Sequence, residues 1–233
     1  MAGPRIFLIT GSKGGGKSSF ASALAKILDG RNCKTGGFIA PGSVEGGIRS
    51  GFSLAHPDGS IIMHLATRTT SSRTGTGPAD GSINIPPTEG TTSSRTGTGP
   101  ADGSINTLPT DGNASSSTGN QVTAGSFAFN PEAIRKGHTI IRKAVTEKCD
   151  VIFLDEVGAA EMEGKIWAEA LSSLLDSHTG ITVLVTSRKN LTSVIKHWDL
   201  APAGIFDIDH VTPVKAAEAV ISNLKPTGGY GKG

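Results

Sequence analysis

Eight residues near the N-terminus, Gly11 to Ser18, read GSKGGGKS and match the pattern G-x-x-x-x-G-K-[ST]. Glycines in such a loop let successive backbone N–H groups point into one concavity, and the following helix adds its positive N-terminal end. The pattern therefore predicts triphosphate binding, with Lys17 reaching the β- and γ-phosphates and Ser18 ligating magnesium. The nucleotide-binding residues predicted in this way are Gly11, Ser12, Lys13, Gly14, Gly15, Gly16, Lys17, Ser18 and Ser19.

A pair of acids, Asp155 and Glu156, follows the apolar run Val151 to Leu154. Such a run has the form of a Walker B element, in which Asp155 would hold magnesium and Glu156 would orient or deprotonate the attacking water. The pair alone is a weak signal because many strands end in acids, but the glycine-rich loop upstream strengthens it. A glutamate next to the aspartate favours hydrolysis over phosphoryl transfer to an acceptor.

Two arginines are candidates for contact with the γ-phosphate. Arg188 follows a predicted strand, close to where strand ends converge on that phosphate, and is predicted to be catalytic together with Lys17 and Glu156. A surface position for Arg188 is an equally open interpretation, and Arg49 is a weaker candidate of the same kind. Lys13 stands one place later than the extra loop lysine of partition-type ATPases, which indicates an exposed loop lysine.

Charge and composition limit the possible partners. The chain has 22 Lys plus Arg and 20 Asp plus Glu, a net charge of +2, so neither nucleic acid nor a membrane surface is an expected partner. No stretch approaches the roughly 20 apolar residues of a membrane helix, and the apolar run Ile6 to Ile9 is too short for a signal peptide. The expectation is a cytoplasmic protein whose partner is a nucleoside triphosphate; a protein partner is not identified.

The elements that must position these groups follow from hydrophobic periodicity. In the first part of the chain a buried strand ends at the loop, and an amphipathic helix follows with Gly30 as its C-terminal cap. Three more strands are interpreted as an antiparallel hairpin unit inserted early in an α/β fold. The predicted strands are Arg5 to Thr10, Gly37 to Ala40, Ile48 to Leu54 and Ser60 to Leu65.

The middle of the chain, residues 67–124, consists mainly of Ser, Thr, Gly and Pro. The string TTSSRTGTGPADGSIN occurs at Thr69 to Asn84 and again at Thr91 to Asn106. Such a composition cannot offset the entropy lost on ordering. The segment is predicted to be a disordered, low-complexity insertion, with an ordered lid as the open alternative.

After the insertion, helices and strands alternate to the end of the chain. The predicted elements are a helix from Pro131 to Glu147, a strand Asp150 to Asp155, a helix Gly164 to Asp176, a strand Ile181 to Thr186, a helix Leu191 to Trp198, a strand Gly204 to Ile208 and a helix Pro213 to Lys225. A loose tail is expected over 226–233. This alternation predicts one α/β domain over 1–233, with a mainly parallel sheet and helices on both faces.

Four stretches of the chain resemble the small nucleoside-triphosphatase family of the thermophile and cancer-related nucleoside-triphosphatase type. They are ITGSKGGGKSSF, KTGGFIAPGSVEGGIRSGFSL, the helix that begins FNPEAI, and VIFLDEVGAAEMEG followed by Trp167. The second stretch and the E-x-E-G of the fourth are the most specific. The loop departs from the family's pattern because relatives usually carry a proline or valine within it, and the repetitive insertion is not part of that pattern.

The resemblance implies a RecA-like P-loop domain, a three-layer sandwich, that hydrolyses several nucleoside triphosphates slowly with magnesium and little base preference. It also implies phosphate binding by Gly11 to Ser18 and places metal and water at Asp155 and Glu156. Two other functions stay open. A nucleotide or nucleoside kinase would require an acceptor pocket and an arginine-bearing lid, for which the insertion offers Arg73 and Arg95. A binding module gated by nucleotide is the third possibility.

Overall fold

Alternating apolar strands and helices build the fold. The computed structural model describes residues 4–69 and 122–224. The first range contains β1 (Arg5–Thr10), α1 (Lys17–Asp29), β2 (Thr35–Phe38), β3 (Gly42–Glu45), β4 (Ile48–Ala55) and β5 (Ile61–Arg68). The second contains β6 (Val122–Ala124), β7 (Phe127–Phe129), α2 (Pro131–Thr146), β8 (Val151–Asp155), α3 (Ala159–Met162), α4 (Ala168–Ser177), β9 (Ile181–Val185), α5 (Leu191–His197), β10 (Pro202–Asp207) and α6 (Pro213–Asn223).

The central sheet has five parallel strands in the order β10-β1-β9-β8-β2. Strands β1, β9 and β8 are runs of buried, mostly apolar residues, as expected for a parallel sheet covered on both faces. Leu8, Leu184 and Leu154 stand side by side in register. The carboxyl ends of β1 and β8 therefore open on the same edge of the sheet, which brings the glycine-rich loop toward Asp155.

Helices cover both faces of this sheet. On one face, Phe20 and Leu24 of α1 and Val220 of α6 pack in one core cluster with Phe7 and Val183 of the sheet. On the other face, α2, α4 and α5 form a second cluster around Leu8, Leu154 and Trp167. These two cores and the sheet between them are the three layers that the sequence pattern predicts.

A second sheet is antiparallel and has the order β3-β4-β5-β7-β6. It joins the first sheet through the chain between β2 and β3, where Ile39 and Ala55 exchange backbone hydrogen bonds of 3.0 and 2.9 Å. Leu54, Leu65 and Phe127 of this sheet enter the core that contains Trp167. The second sheet is thus packed on the carboxyl edge of the central one, where the predicted site lies.

Most predicted elements are confirmed within one to three residues at their ends. The α/β class, the mainly parallel sheet and the antiparallel hairpin of β4 and β5 are all present. Asn130 caps the N-terminus of α2, because its side chain accepts the N–H of Glu132 at 2.9 Å.

Two predictions about elements are wrong. The strand predicted at Gly37 to Ala40 is not part of the hairpin unit, because β2 pairs in parallel with β8. The helix predicted from Gly164 begins at Ala168 instead, because Gly164 (φ 74°) ends α3 in the left-handed conformation, which commonly follows a helix C-terminus.

Residues at both ends of the predicted insertion, 67–124, belong to strands. Strand β5 continues to Arg68, and Val122–Ala124 form β6, so neither end of 67–124 belongs to a structureless segment. The remainder of the insertion, residues 70–121, and the tail lie outside the described residues. No helix within 4–69 or 122–224 is long and apolar enough to cross a membrane.

Candidate nucleotide-binding and catalytic site

The glycine-rich loop connects β1 to α1, as the motif requires. Gly14 (φ 78°) and Gly16 (φ 95°) adopt left-handed conformations that glycine reaches without strain. The Gly15 N–H donates to the Ser12 carbonyl at 3.1 Å, which closes the turn. Gly16 is the N-cap of α1 and has no side chain to cap the helix. The first N–H groups of α1 are therefore left for an anion.

Lys17 is the buried cation of this loop. Its side chain lies at the first position of α1, and the residue is 7% exposed. The Nζ atom donates to the Ser12 carbonyl at 3.2 Å. The ammonium is thus held in the concavity of the loop by a neutral partner, and phosphate binding by Lys17 stays a prediction.

The two predicted magnesium ligands, Ser18 and Asp155, both form hydrogen bonds with the backbone of Ala40. The Ser18 hydroxyl donates to the Ala40 carbonyl at 3.3 Å, and the Ala40 N–H donates to Asp155 Oδ2 at 3.0 Å. Burial raises the pKa of Asp155, while the Ser18 hydroxyl, the Ala40 N–H and the charges of Lys17 and Arg49 oppose that rise. Asp155 is 1% exposed, and because burial still raises its pKa, a cation beside it would further stabilise the ionised carboxylate.

Glu156 follows Asp155 at the carboxyl end of β8 and is half-buried. The peptide bond between the two acids is cis. Burial raises the pKa of Glu156 and the negative charge of Asp155 raises it further, whereas Lys17, Arg49 and Lys13 act in the opposite direction. A carboxylate with a raised pKa is a better proton acceptor than an exposed one.

A cavity of about 330 Å³ opens beside Glu156. Lys13 and Glu156 line one part of it, and the aromatic rings of Phe52, Phe127 and Trp167 line another. The second sheet supplies Phe52 and Phe127, so the cavity lies between this sheet and the residues Lys13 and Glu156.

Arg188 does reach the loop, but through its backbone. Its N–H donates to the Gly11 carbonyl at 2.9 Å. Its guanidinium contacts Asp207 through Nε at 3.1 Å and Nη2 at 2.7 Å, and Asp209 through Nη2 at 2.6 Å. The hydrogen bonds with Asp207, and then the one with Asp209, raise the pKa of Arg188 above its usual range. A catalytic role for Arg188 stays a prediction, because it requires the guanidinium to leave both carboxylates.

The chain matches the family model described as NTPase over residues 6–83 and 103–210. The chain belongs to the NTPase family. The match omits residues 84–102, which run from the end of the first copy of the repeated string into the second, and it includes residues 67–83 and 103–124 of the predicted insertion. A search of curated proteins gave no match.

Two solved structures support the P-loop fold of this NTPase family member. The solution structure of a human cancer-related nucleoside triphosphatase is similar with a TM-score of 0.55 and 13% identity, covering 96% of this chain and 98% of that one. The crystal structure of THEP1 from the hyperthermophile Aquifex aeolicus is similar with a TM-score of 0.53 and 16% identity, covering 94% and 99%.

Lys13, Ser12 and Ser19 are exposed in this NTPase, which agrees with the prediction of an exposed loop lysine. Glu161 is the acid of the site region whose role sequence reasoning missed. It is buried, and its carboxylate accepts the Gly158 N–H at 2.8 Å just after the acid pair. The signal was present in the E-x-E-G motif, since a glutamate three residues after an N-cap is a known capping pattern.

Proposed function

We propose that this protein hydrolyses nucleoside triphosphates to diphosphate and phosphate, with magnesium bound between the loop and Asp155. Family membership supports the reaction class. The observation that supports hydrolysis most directly is the position of Glu156, a half-buried carboxylate beside Asp155. Burial raises the pKa of Glu156, and the positive charges of Lys17 and Lys13 oppose this rise.

The residues beside the loop fit Mg²⁺. This ion prefers oxygen ligands and keeps several waters, and the Ser18 hydroxyl and Asp155 carboxylate offer two oxygens held on the same backbone residue. In the described ranges no group of three or more His, Cys, Asp or Glu side chains is arranged to hold a metal ion, which suits an ion that shares its ligands with water and phosphates. Bound there, Mg²⁺ would neutralise part of the β- and γ-phosphate charge.

The chain's own groups would act as follows. Backbone N–H groups from Gly14 to Lys17 bind the phosphates, and the Lys17 ammonium exchanges the Ser12 carbonyl for a β- or γ-phosphate oxygen. Glu156 holds a water and accepts its proton as the water oxygen bonds to the γ-phosphorus. The bond from that phosphorus to the β–γ bridging oxygen breaks, and the diphosphate leaves.

The rate and the choice of base rest on the family resemblance. It supports slow turnover with little preference among the bases. Phosphate release should be measured across ATP, GTP, CTP and UTP, each with Mg²⁺ and with excess chelator. We expect similar release from all four with Mg²⁺ and background release without it. Strict dependence on one base, or activity in chelator, would contradict these parts of the proposal.

The cavity beside Glu156 favours a second candidate, phosphoryl transfer to an acceptor. A space of about 330 Å³ that is lined by aromatic rings and a carboxylate has room for a small organic molecule. The same incubations, repeated with a panel of nucleosides and nucleoside monophosphates, separate the two candidates. Free phosphate without a phosphorylated acceptor supports hydrolysis, and stoichiometric transfer to an acceptor supports a kinase.

A further inference from the structure

Arg49, in β4 of the second sheet, lies against the phosphate loop. Its Nη2 atom is 4.0 Å from the position that a Cβ atom would occupy on Gly14. Gly14 is an exposed residue of the loop, between the turn at Ser12 and the start of α1. Burial raises the pKa of both Asp155 and Glu156, and the positive charge of Arg49 is among the groups that oppose this rise. The guanidinium is thus close to the loop, and its charge acts on both acids.

The positive charge of Arg49 has no ion-pair partner within the part of the chain that the structure describes. Arg188 differs in this respect, because two carboxylates bind its guanidinium. An arginine that is half-buried and unpaired beside a phosphate loop attracts an anion more strongly than one whose charge is already neutralised.

Aromatic rings and a second arginine hold Arg49 in place. Its guanidinium carbon lies 5.1 Å from the centre of the Phe52 ring, and Phe52 contacts Phe127 edge-on at 4.8 Å. Arg68 lies over Phe127 at 5.6 Å and donates from Nε to the Arg49 carbonyl at 2.9 Å. The Phe52 ring thus limits the positions open to the guanidinium, and Arg68 holds the backbone of Arg49, so less entropy is lost when the guanidinium contacts an anion.

Gly42, on the neighbouring strand β3, makes room for this arrangement. A Cβ atom on Gly42 would lie 2.6 Å from both Cζ and Nη1 of Arg49, which is closer than non-bonded carbon and nitrogen atoms can approach. The absence of a side chain at Gly42 thus allows the guanidinium to take its observed place. The glycine and the arginine belong to the same stretch that carries the family resemblance.

We propose that Arg49 binds the γ-phosphate and stabilises the charge that develops on it as the bond to the β–γ bridging oxygen breaks. The second sheet would then supply, from the same chain, the arginine that many P-loop enzymes require at this phosphate. This inference rests on the proposed function of the site. It predicts that Arg49 distinguishes triphosphates from diphosphates, since a diphosphate has no group at that position.

The test compares Arg49→Ala and Arg49→Lys with wild type, and uses Arg135→Ala on the exposed surface of α2 as the matched control. Affinity is measured for a non-hydrolysable ATP analogue and for ADP, and turnover is measured with ATP. We expect Arg49→Ala to weaken analogue binding at least about tenfold, the usual effect of losing a charge-assisted contact, while ADP binding changes little. Turnover should fall at least about 100-fold, and Arg135→Ala should match wild type.

A purely structural role for Arg49 would give a different result. Millimolar guanidinium chloride should restore part of the turnover of Arg49→Ala if the lost group acts on the phosphate, and should restore none if Arg49 only holds the hairpin. Equal weakening of the analogue and ADP, or unchanged turnover, would overturn the proposal. If wild type binds the analogue but hydrolyses no triphosphate, the proposed function fails, and the comparison of analogue with ADP still decides the role of Arg49.

Gly42→Ala provides a second route that keeps the arginine in the chain and covers the case in which Arg49→Ala does not fold. The added methyl group should displace the guanidinium and reproduce the selective loss of analogue binding. Ser43→Ala, at the next and equally exposed position of β3, is its control. Wild-type selectivity in Gly42→Ala would count against the proposal.

Discussion

The carboxylate of Asp155 accepts the backbone N–H of Ala40, with 3.0 Å between Oδ2 and the nitrogen. Ala40 lies between the two sheets, after β2 and before β3, and its carbonyl also accepts the Ser18 hydroxyl. The backbone of one residue therefore fixes the separation of the two predicted magnesium ligands. Their separation depends on how the sheets meet and not on the side chain at position 40.

Ser18→Ala should raise the Mg²⁺ concentration required for half-maximal turnover. The change removes one of two protein oxygens from the ion and leaves the loop glycines in place, so nucleotide binding without metal should change little. A rise of about tenfold corresponds to roughly 1.4 kcal/mol, within the range for one hydrogen bond or ligand of this kind. Turnover titrated with Mg²⁺ measures it. Ser172→Ala, on the exposed side of α4, should titrate like wild type.

Glu156→Gln should separate hydrolysis from binding. Loss of a general base lowers turnover by about 10²–10⁴-fold, while the amide keeps the shape of the side chain and leaves the phosphate loop intact.

Lys17→Ala should instead weaken nucleotide binding, because it removes a charge-assisted phosphate contact worth about 1.5–3 kcal/mol. Calorimetric affinities and phosphate release together provide the comparison. Glu163→Gln, an exposed acid nearby, is the control, and wild-type turnover in Glu156→Gln would disprove the assignment.

Glu161 should make stability depend on pH near neutrality. Burial raises the pKa of this carboxyl to about 7, although the Gly158 N–H and other backbone donors oppose the rise. The folded state therefore binds the proton more tightly than the unfolded state. The stabilisation that protonated Glu161 gives the folded state is complete below the pKa of the unfolded glutamate, and it is lost as the pH rises through about 7. The difference in unfolding free energy between wild type and Glu161→Gln should change by about 3 kcal/mol across this window.

Urea unfolding of both proteins from pH 4.5 to pH 8.5 measures that difference. We expect wild type to lose stability relative to Glu161→Gln as the pH rises, since glutamine cannot ionise. Parallel pH curves for the two proteins would show that the pKa of Glu161 is the same in the folded and unfolded states, which would contradict the prediction.

Gly37→Ala should destabilise the central sheet. Gly37 has φ 86° in β2, and a Cβ atom there would collide with the backbone of Phe153 in β8. An alanine in this left-handed backbone conformation is strained, and its Cβ atom would push β2 away from β8. Together these effects should lower the unfolding free energy by about 2–4 kcal/mol. Gly30→Ala is the matched control because Gly30 has φ −63° and room for a methyl group. Urea unfolding at one pH gives both values, and equal stability of the two variants would contradict the argument.

The elements of the site were predictable because their signals are local. The loop, the strand before it and the helix after it lie within a short stretch, and the pair Asp155-Glu156 follows an apolar run that is visible by itself. Parallel strands then require the two to meet at one edge of a sheet.

The surroundings of the two candidate arginines could not be predicted from local sequence signals. Arg188 pairs with Asp207 and Asp209 in a different part of the chain, and no spacing rule connects them. Arg49 reaches the loop because β3, β4 and β5 fold across the edge of the central sheet, and Gly42 and Phe52 determine where its guanidinium lies. Such contacts depend on how two sheets pack, which hydrophobic periodicity does not specify.

Strand β7 lies between the two strands that the repeated segment connects, and so sets the distance between the ends of that segment. The chain leaves this sheet at Arg68, the end of β5, which pairs with Phe127, and re-enters it at Val122, the start of β6, which pairs with Phe129 on the opposite side of β7. Adjacent strands are about 4.8 Å apart and the chain rises about 3.4 Å per residue along a strand, so these two points are roughly 12 Å from each other. Each doubling of a connection between fixed ends adds only about 0.6 kcal/mol of closure entropy. If residues 70–121 are disordered, as their composition predicts, the copy number of TTSSRTGTGPADGSIN is nearly neutral for folding, and forms with one, two or three copies should melt at nearly the same temperature.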